Sequence, residues 1–197
     1  MRMRLIFGIL LFLIVVPLSV QQVKSVIPYR MVGGKMIVDM TINGQVRSFI
    51  FDTGGQMALT GELCEELNIP VVDSVKVTDV NGKEVGLPRV VVSSLMTPDE
   101  RINFSGAPAM KLSTPSPFEC FHADGLIGSD LFKDLIVEID GKAKTITVTS
   151  AEKSSTVSLR KMLPFSGKGF MPIITFGQEQ EIVWLRYLIQ DVLVSYL

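Results

Sequence analysis

Three dipeptides, Asn43-Gly44, Asn81-Gly82 and Asp140-Gly141, each stand between short runs rich in Val, Ile and Thr, and they restrict the chain to a fold built from tight antiparallel hairpins. Both Asn and Gly tolerate the positive φ that a two-residue hairpin turn demands. The first hairpin is predicted within "MIVDMTINGQVRSFIF" (36–51), the second within "SVKVTDVNGKEVGLPRVVVSSL" (74–95), and the third within "LIVEIDGKAKTITVTS" (135–150). Between the first two, "TGELCEELNIP" places Leu63, Leu67 and Ile69 at near-helical spacing with Pro70 as a stop, which predicts one short helix. A second short helix is expected near Ser129 to Asp134. Short strands joined by tight turns favour an all-β barrel or sandwich over a βαβ design.

The 197 residues are 47% hydrophobic, enough for one full core. Nineteen basic side chains stand against twenty acidic ones, with no Lys/Arg cluster beyond the N-terminus, so nucleic acid is excluded as a partner class. At the N-terminus, Arg2 and Arg4 precede an apolar stretch from Leu5 to Val16, followed by Pro17 and small or polar residues. That stretch is shorter than the roughly 20 residues of a membrane-spanning helix and reads as a secretory signal; extended to Val20 it becomes an uncleaved anchor, the one route to a membrane. Residues 1–24 are therefore assigned to a signal peptide or N-terminal anchor, and the protein is expected outside the cell or in the periplasm or cell envelope. In such a compartment Cys64 and Cys120 either pair or remain two separate thiols.

Chemistry concentrates at "SFIFDTGGQMALT" (48–60), where the apolar run Phe49, Ile50, Phe51 ends in the carboxylate of Asp52, followed by Thr53 and the glycines Gly54 and Gly55. Downstream lies "ADGLIGSDLF" (123–132). With the hairpin between them, these two motifs resemble a retropepsin-like aspartic protease domain, over roughly Ile27 to Thr149. The resemblance implies a closed all-β barrel, one half of an acid protease, carrying one or two short helices. It also implies Asp52 as the catalytic carboxylate, Thr53 binding across to an opposing copy, and Gly54 letting the loop turn closely. Leu126, Ile127 and Gly128 would pack beneath that loop. The hairpin tip at Asn81 and Gly82 would be a flap closing over an extended peptide, with Leu126, Ile127 and Gly128 joining it in substrate binding. No metal or organic cofactor is implied. The single histidine, His122, has no companion at metal-ligand spacing, Asp124, Asp130 and Asp134 suit turn or capping roles, and Ser129 has no base to make it a nucleophile.

Two departures from the family pattern stand out. The residue after Asp-Thr-Gly is usually Ala or Ser, and here it is Gly55. Only one Asp-Thr-Gly is present, whereas the chemistry needs two carboxylates, so a second must come from a homodimer partner or a second repeat. Beyond residues 25–150, assigned to the protease domain, a Ser-rich linker is expected over 151–162. Residues 163–197 then echo the start of the domain: "LPFSGKGFMPIITFGQ" parallels "IPYRMVGGKMIVDMTINGQ" in its Pro-aromatic start, Gly-Lys, Met and Gly-Gln. The codons TAT TTG ATA CAG GA, one permitted spelling from Tyr187 into Asp191, read in a shifted frame as Phe-Asp-Thr-Gly. The expectation is a truncated or frameshifted second repeat. The leading functional reading is an aspartic endopeptidase acting on peptide or protein substrates, and the alternative is a catalytically silent domain of the same fold that binds extended peptides.

Overall fold

The computed structural model describes residues 23–78 and 82–150, together with the backbone of 166–168 and 171–173. The expected leader, most of the linker and second-repeat region, and Asn81 lie outside the described residues.

The chain opens with β1 (Lys24–Val32), β2 (Lys35–Ile42) and β3 (Gln45–Asp52), a meander whose first turn uses Gly33 and Gly34 and whose second uses Asn43 and Gly44. Asn43 has φ 46° and Gly44 φ 79°, the doubly positive turn expected of an Asn-Gly hairpin. Next come β4 (Ala58–Leu59), helix α1 (Gly61–Glu66), and the hairpin of β5 (Val71–Thr78) and β6 (Glu84–Val92). The Thr60 hydroxyl caps α1 by accepting from the Leu63 N–H at 3.2 Å. Then follow β7 (Leu95–Met96), β8 (Ala107–Lys111), β9 (Gly125–Gly128), β10 (Leu135–Asp140) and β11 (Thr145–Ser150). The predicted second helix is a single 3-10 turn, Ser129–Phe132. The third turn is longer than a two-residue hairpin, because the Asp140 carboxylate accepts from the Lys142 and Ala143 N–H groups, both at 2.8 Å, and draws four residues into the loop.

The strands form one mostly antiparallel sheet in the order β10-β11-β1-β2-β3-β9-β4-β8-β6-β5, with β7 on β2. β1 turns the corner of this path: Lys24 to Pro28 pair with β11, and Tyr29 to Val32 pair with β2. Two pairings are parallel, β3 with β9 and β4 with β8. The architecture is β-rich with one short helix, as the short strands and tight turns of the sequence led one to expect.

Packing explains why β3 reads as an unbroken apolar run. Phe49 and Phe51 face the main core with Met36, Val38, Met40 and Ile42 of β2, while Ile50 faces a second cluster with Ile37 and Ala123. A strand covered on both faces needs apolar residues at every position. Phe132 of the 3-10 turn packs near Phe51 with ring centroids 5.8 Å apart, fixing that turn to the residue before Asp52.

Farther along the chain, β12 (Ser166–Lys168) pairs with β13 (Met171–Ile173), Lys168 opposite Met171. In β1 and β2, Val32 stands opposite Lys35, the same spacing between paired residues.

Candidate active site

Asp52 is the last residue of β3, half-buried, and the chain reverses immediately after it. Its carboxylate Oδ1 accepts from the Gly54 N–H at 2.9 Å, and its carbonyl accepts from the Gly55 N–H at 3.1 Å. Both bonds close the turn on the acid itself, so its side chain is directed by its own loop. Thr53, Gly54 and Gly55 are also half-exposed, and Gln56 is exposed.

β9 holds both stems of this loop. On one side it runs parallel to β3, with Asp52 opposite Gly128; on the other it runs antiparallel to β4, with Ala58 opposite Leu126 and Leu59 opposite Gly125. Such close seating needs bare backbone. A Cβ on Gly125 would meet the Ala58 carbonyl, and one on Gly128 would meet the Gly55 carbonyl and lie 2.7 Å from both the Asp130 carboxylate and the Gln56 carbonyl carbon.

The motif residues therefore divide. Gly128 lies under the loop, as the resemblance implied. Leu126 is half-exposed and rests on Gly55. Ile127 is 1% exposed and packed in the main core, so its surface is committed to folding and is not available to line a substrate groove. Gly82 has φ +80° with open space around it, as suits the tip of the β5–β6 hairpin. That hairpin joins the site region through β8, which pairs with β6 on one side and with β4 on the other. Arg89 and Asp73 bridge its two strands, Nε lying 2.7 Å from Oδ1.

Two features of the site were not foreseen. Leu126 occupies the space that a side chain at position 55 would need: a Cβ there would sit 2.8 Å from Leu126 Cδ2. The missing side chain at Gly55 is thus matched by a bulky neighbour. Restoring the usual family residue with Gly55→Ser is expected to destabilise the domain by about 1 kcal/mol, with Leu126→Ala removing most of that penalty in the double variant. Urea unfolding of the four-member cycle measures the coupling, and strict additivity would contradict the contact.

The second is Asp130, whose turn role proves larger than capping. Its carboxylate accepts from the Leu131 N–H at 3.1 Å and from the Met57 N–H across the loop, with Oδ1 at 3.0 Å and Oδ2 at 3.1 Å. Burial pushes its pKa above the usual aspartate value, and these backbone bonds only partly offset that. A carboxyl with a raised folded pKa contributes stability fully below the ordinary aspartate pKa and loses it as pH rises through the folded value. Stability measured relative to Asp130→Asn is therefore expected to fall as pH increases through that acid window; a difference independent of pH would contradict it. The only sequence signal was an Asp two residues beyond Gly128, which does not reveal a partner 73 positions away.

Elsewhere, His122 is exposed and takes the left-handed conformation at the end of a 3-10 turn, Glu119–Phe121. Cys64 is buried, Cys120 is exposed, and both thiols are free, so the pairing alternative is not realised.

Residues 38–131 match the family profile described as aspartyl protease. A solved structure similar to this chain is a retropepsin-like aspartic protease from Rickettsia conorii, at 17% identity and a TM-score of 0.48, covering 66% of this chain and 92% of that one. No curated protein matches. The profile runs from Val38 within β2 to Leu131 within the 3-10 turn and takes in Asp52, Gly128 and Asp130, so this stretch of the chain is similar to aspartyl proteases.

Proposed function

We propose that this domain is an aspartic endopeptidase in which Asp52 meets a second Asp52 from another copy of the chain. The observation that carries this reading is the half-buried carboxylate at the strand end, held by the Gly54 N–H on a loop seated against Gly128. Two carboxylates brought together cannot both ionise, so they share a proton. The ionised member then takes a proton from water, the water attacks the scissile carbonyl, and the protonated member donates to the carbonyl oxygen. Proton release belongs to the pair and not to either acid.

An extended peptide is the substrate class proposed, because a strand-like ligand pairs with main-chain groups of a β-rich cleft and leaves its side chains to set specificity. The β5–β6 hairpin is proposed as the element that closes over it and excludes water. The Arg-flanked apolar leader supports export, with cleavage at the periplasm or cell envelope. The echo at 163–173, including the β12–β13 hairpin, supports a second copy of the domain's opening.

The test is hydrolysis of a mixed peptide library by the purified full chain, with cleavage expected to stop on adding a statine-type transition-state mimic. A second reading, peptide binding without cleavage, is favoured by Gly55 and by the single Asp-Thr-Gly. It predicts retained binding and no products.

A further inference from the structure

We propose that Asp130 is a positioning residue that fixes the exit of the Asp52 loop by accepting the Met57 N–H, and so sets where the Asp52 carboxylate stands. The role of Asp130 in catalysis rests on the endopeptidase reading; the latch itself does not.

The loop needs such a restraint. Residues 53–56 include two glycines, the least restricted residues on the backbone. Its entry is secured by the β3–β9 ladder and by the Gly54 N–H on Asp52. Its exit leads into β4, only two residues long. The first main-chain donor after Gln56 is the Met57 N–H, and a side-chain carboxylate, not a neighbouring strand, receives it. On its other side the Met57 carbonyl accepts from the Met110 N–H at 3.0 Å, so Met57 is pinned from both directions.

Asp130 is itself well placed to serve as an anchor. Its own turn is locked by the Leu131 N–H, and two residues on, the buried Phe132 packs near Phe51, the neighbour of Asp52. Loop entry and loop exit are thereby referred to one rigid unit. Gly128 completes the arrangement, since any Cβ there would press on both the Gly55 carbonyl and the Asp130 carboxylate.

Amide hydrogen exchange and peptide cleavage, both measured on the full chain as wild type, Asp130→Asn and Asp130→Leu, test the assignment. The Leu variant is expected to exchange at Met57, Gly54 and Gly55 about tenfold faster or more, while the distant Val148 amide keeps its rate. Its kcat is expected to drop by about tenfold or more with KM within about twofold, and Asn, which keeps an acceptor oxygen, to restore most of both. Should the Leu variant not fold, Asp130→Ala makes the same comparison. Wild-type behaviour in the Leu or Ala variant, failure of Asn to restore, or equal acceleration at Val148 overturns the proposal. If the wild type cleaves no peptide, the endopeptidase reading falls; selective exchange at Met57 and Gly54 then still upholds the latch, and its absence overturns it.

Discussion

Asp52→Asn is expected to lower kcat/KM for peptide cleavage by about a thousandfold while leaving the unfolding midpoint unchanged. Asn has the shape of Asp and retains an oxygen to receive the Gly54 N–H, so the loop keeps its closing bond. What it lacks is ionisation. With Asp52→Asn in both copies the pair is two amides, which share no acidic proton, and water loses the base that activates it. Peptide hydrolysis with purified variants, alongside thermal unfolding of each, separates lost chemistry from lost structure. Undiminished cleavage by Asp52→Asn would assign the chemistry to another residue.

Gly128→Ala is expected to be the most damaging single-methyl change in the site, costing about 2 to 3 kcal/mol of stability and most of the activity. The obstacles to its Cβ are mainly backbone: the Gly55 carbonyl and, at 2.7 Å, the Gln56 carbonyl carbon. A flexible side chain can swing aside, whereas these atoms move only if the whole loop lifts. Because Asp52 stands opposite Gly128 in the parallel ladder, lifting the loop also moves the acid. Gly82→Ala at the hairpin tip is the contrasting control, since nothing lies within 4 Å of its added methyl and the remaining cost is its φ of +80°. Equal unfolding midpoints for wild type and Gly128→Ala would contradict this seating of the loop.

Local signals carried much of the fold. Asn43-Gly44 and the apolar alternation around it placed the β2–β3 hairpin, and the Thr60 to Pro70 pattern placed α1 within its observed cap and stop. Asp52 could be singled out because a carboxylate ending an apolar strand is costly without a purpose. The strands that were not foreseen lack local marks. β1 carries Pro28 at the point where it changes partners, β8 has Pro108 within it, and β4 and β7 span two residues each, too few for a period. Their identity comes from long-range pairing. The same holds at the site: neither the bond between Asp130 and Met57 nor the fit of Leu126 over Gly55 is written in neighbouring residues, because both arise only when β9 enters between β3 and β4. Ile127 shows the opposite error of scale. A motif names a segment, but alternation along β9 turns Leu126 outward to the loop and Ile127 inward to the core.

The central claim, that catalysis requires two copies of Asp52 from two chains, is tested most directly by mixing wild type with excess Asp52→Asn and measuring cleavage per wild-type chain. In a three-to-one mixture at dimer-forming concentration, random pairing gives each wild-type chain a wild-type partner about one time in four, so its activity is predicted to fall to about a quarter. Activity per wild-type chain that stays constant in the mixture, at every total concentration, would contradict the shared-acid account.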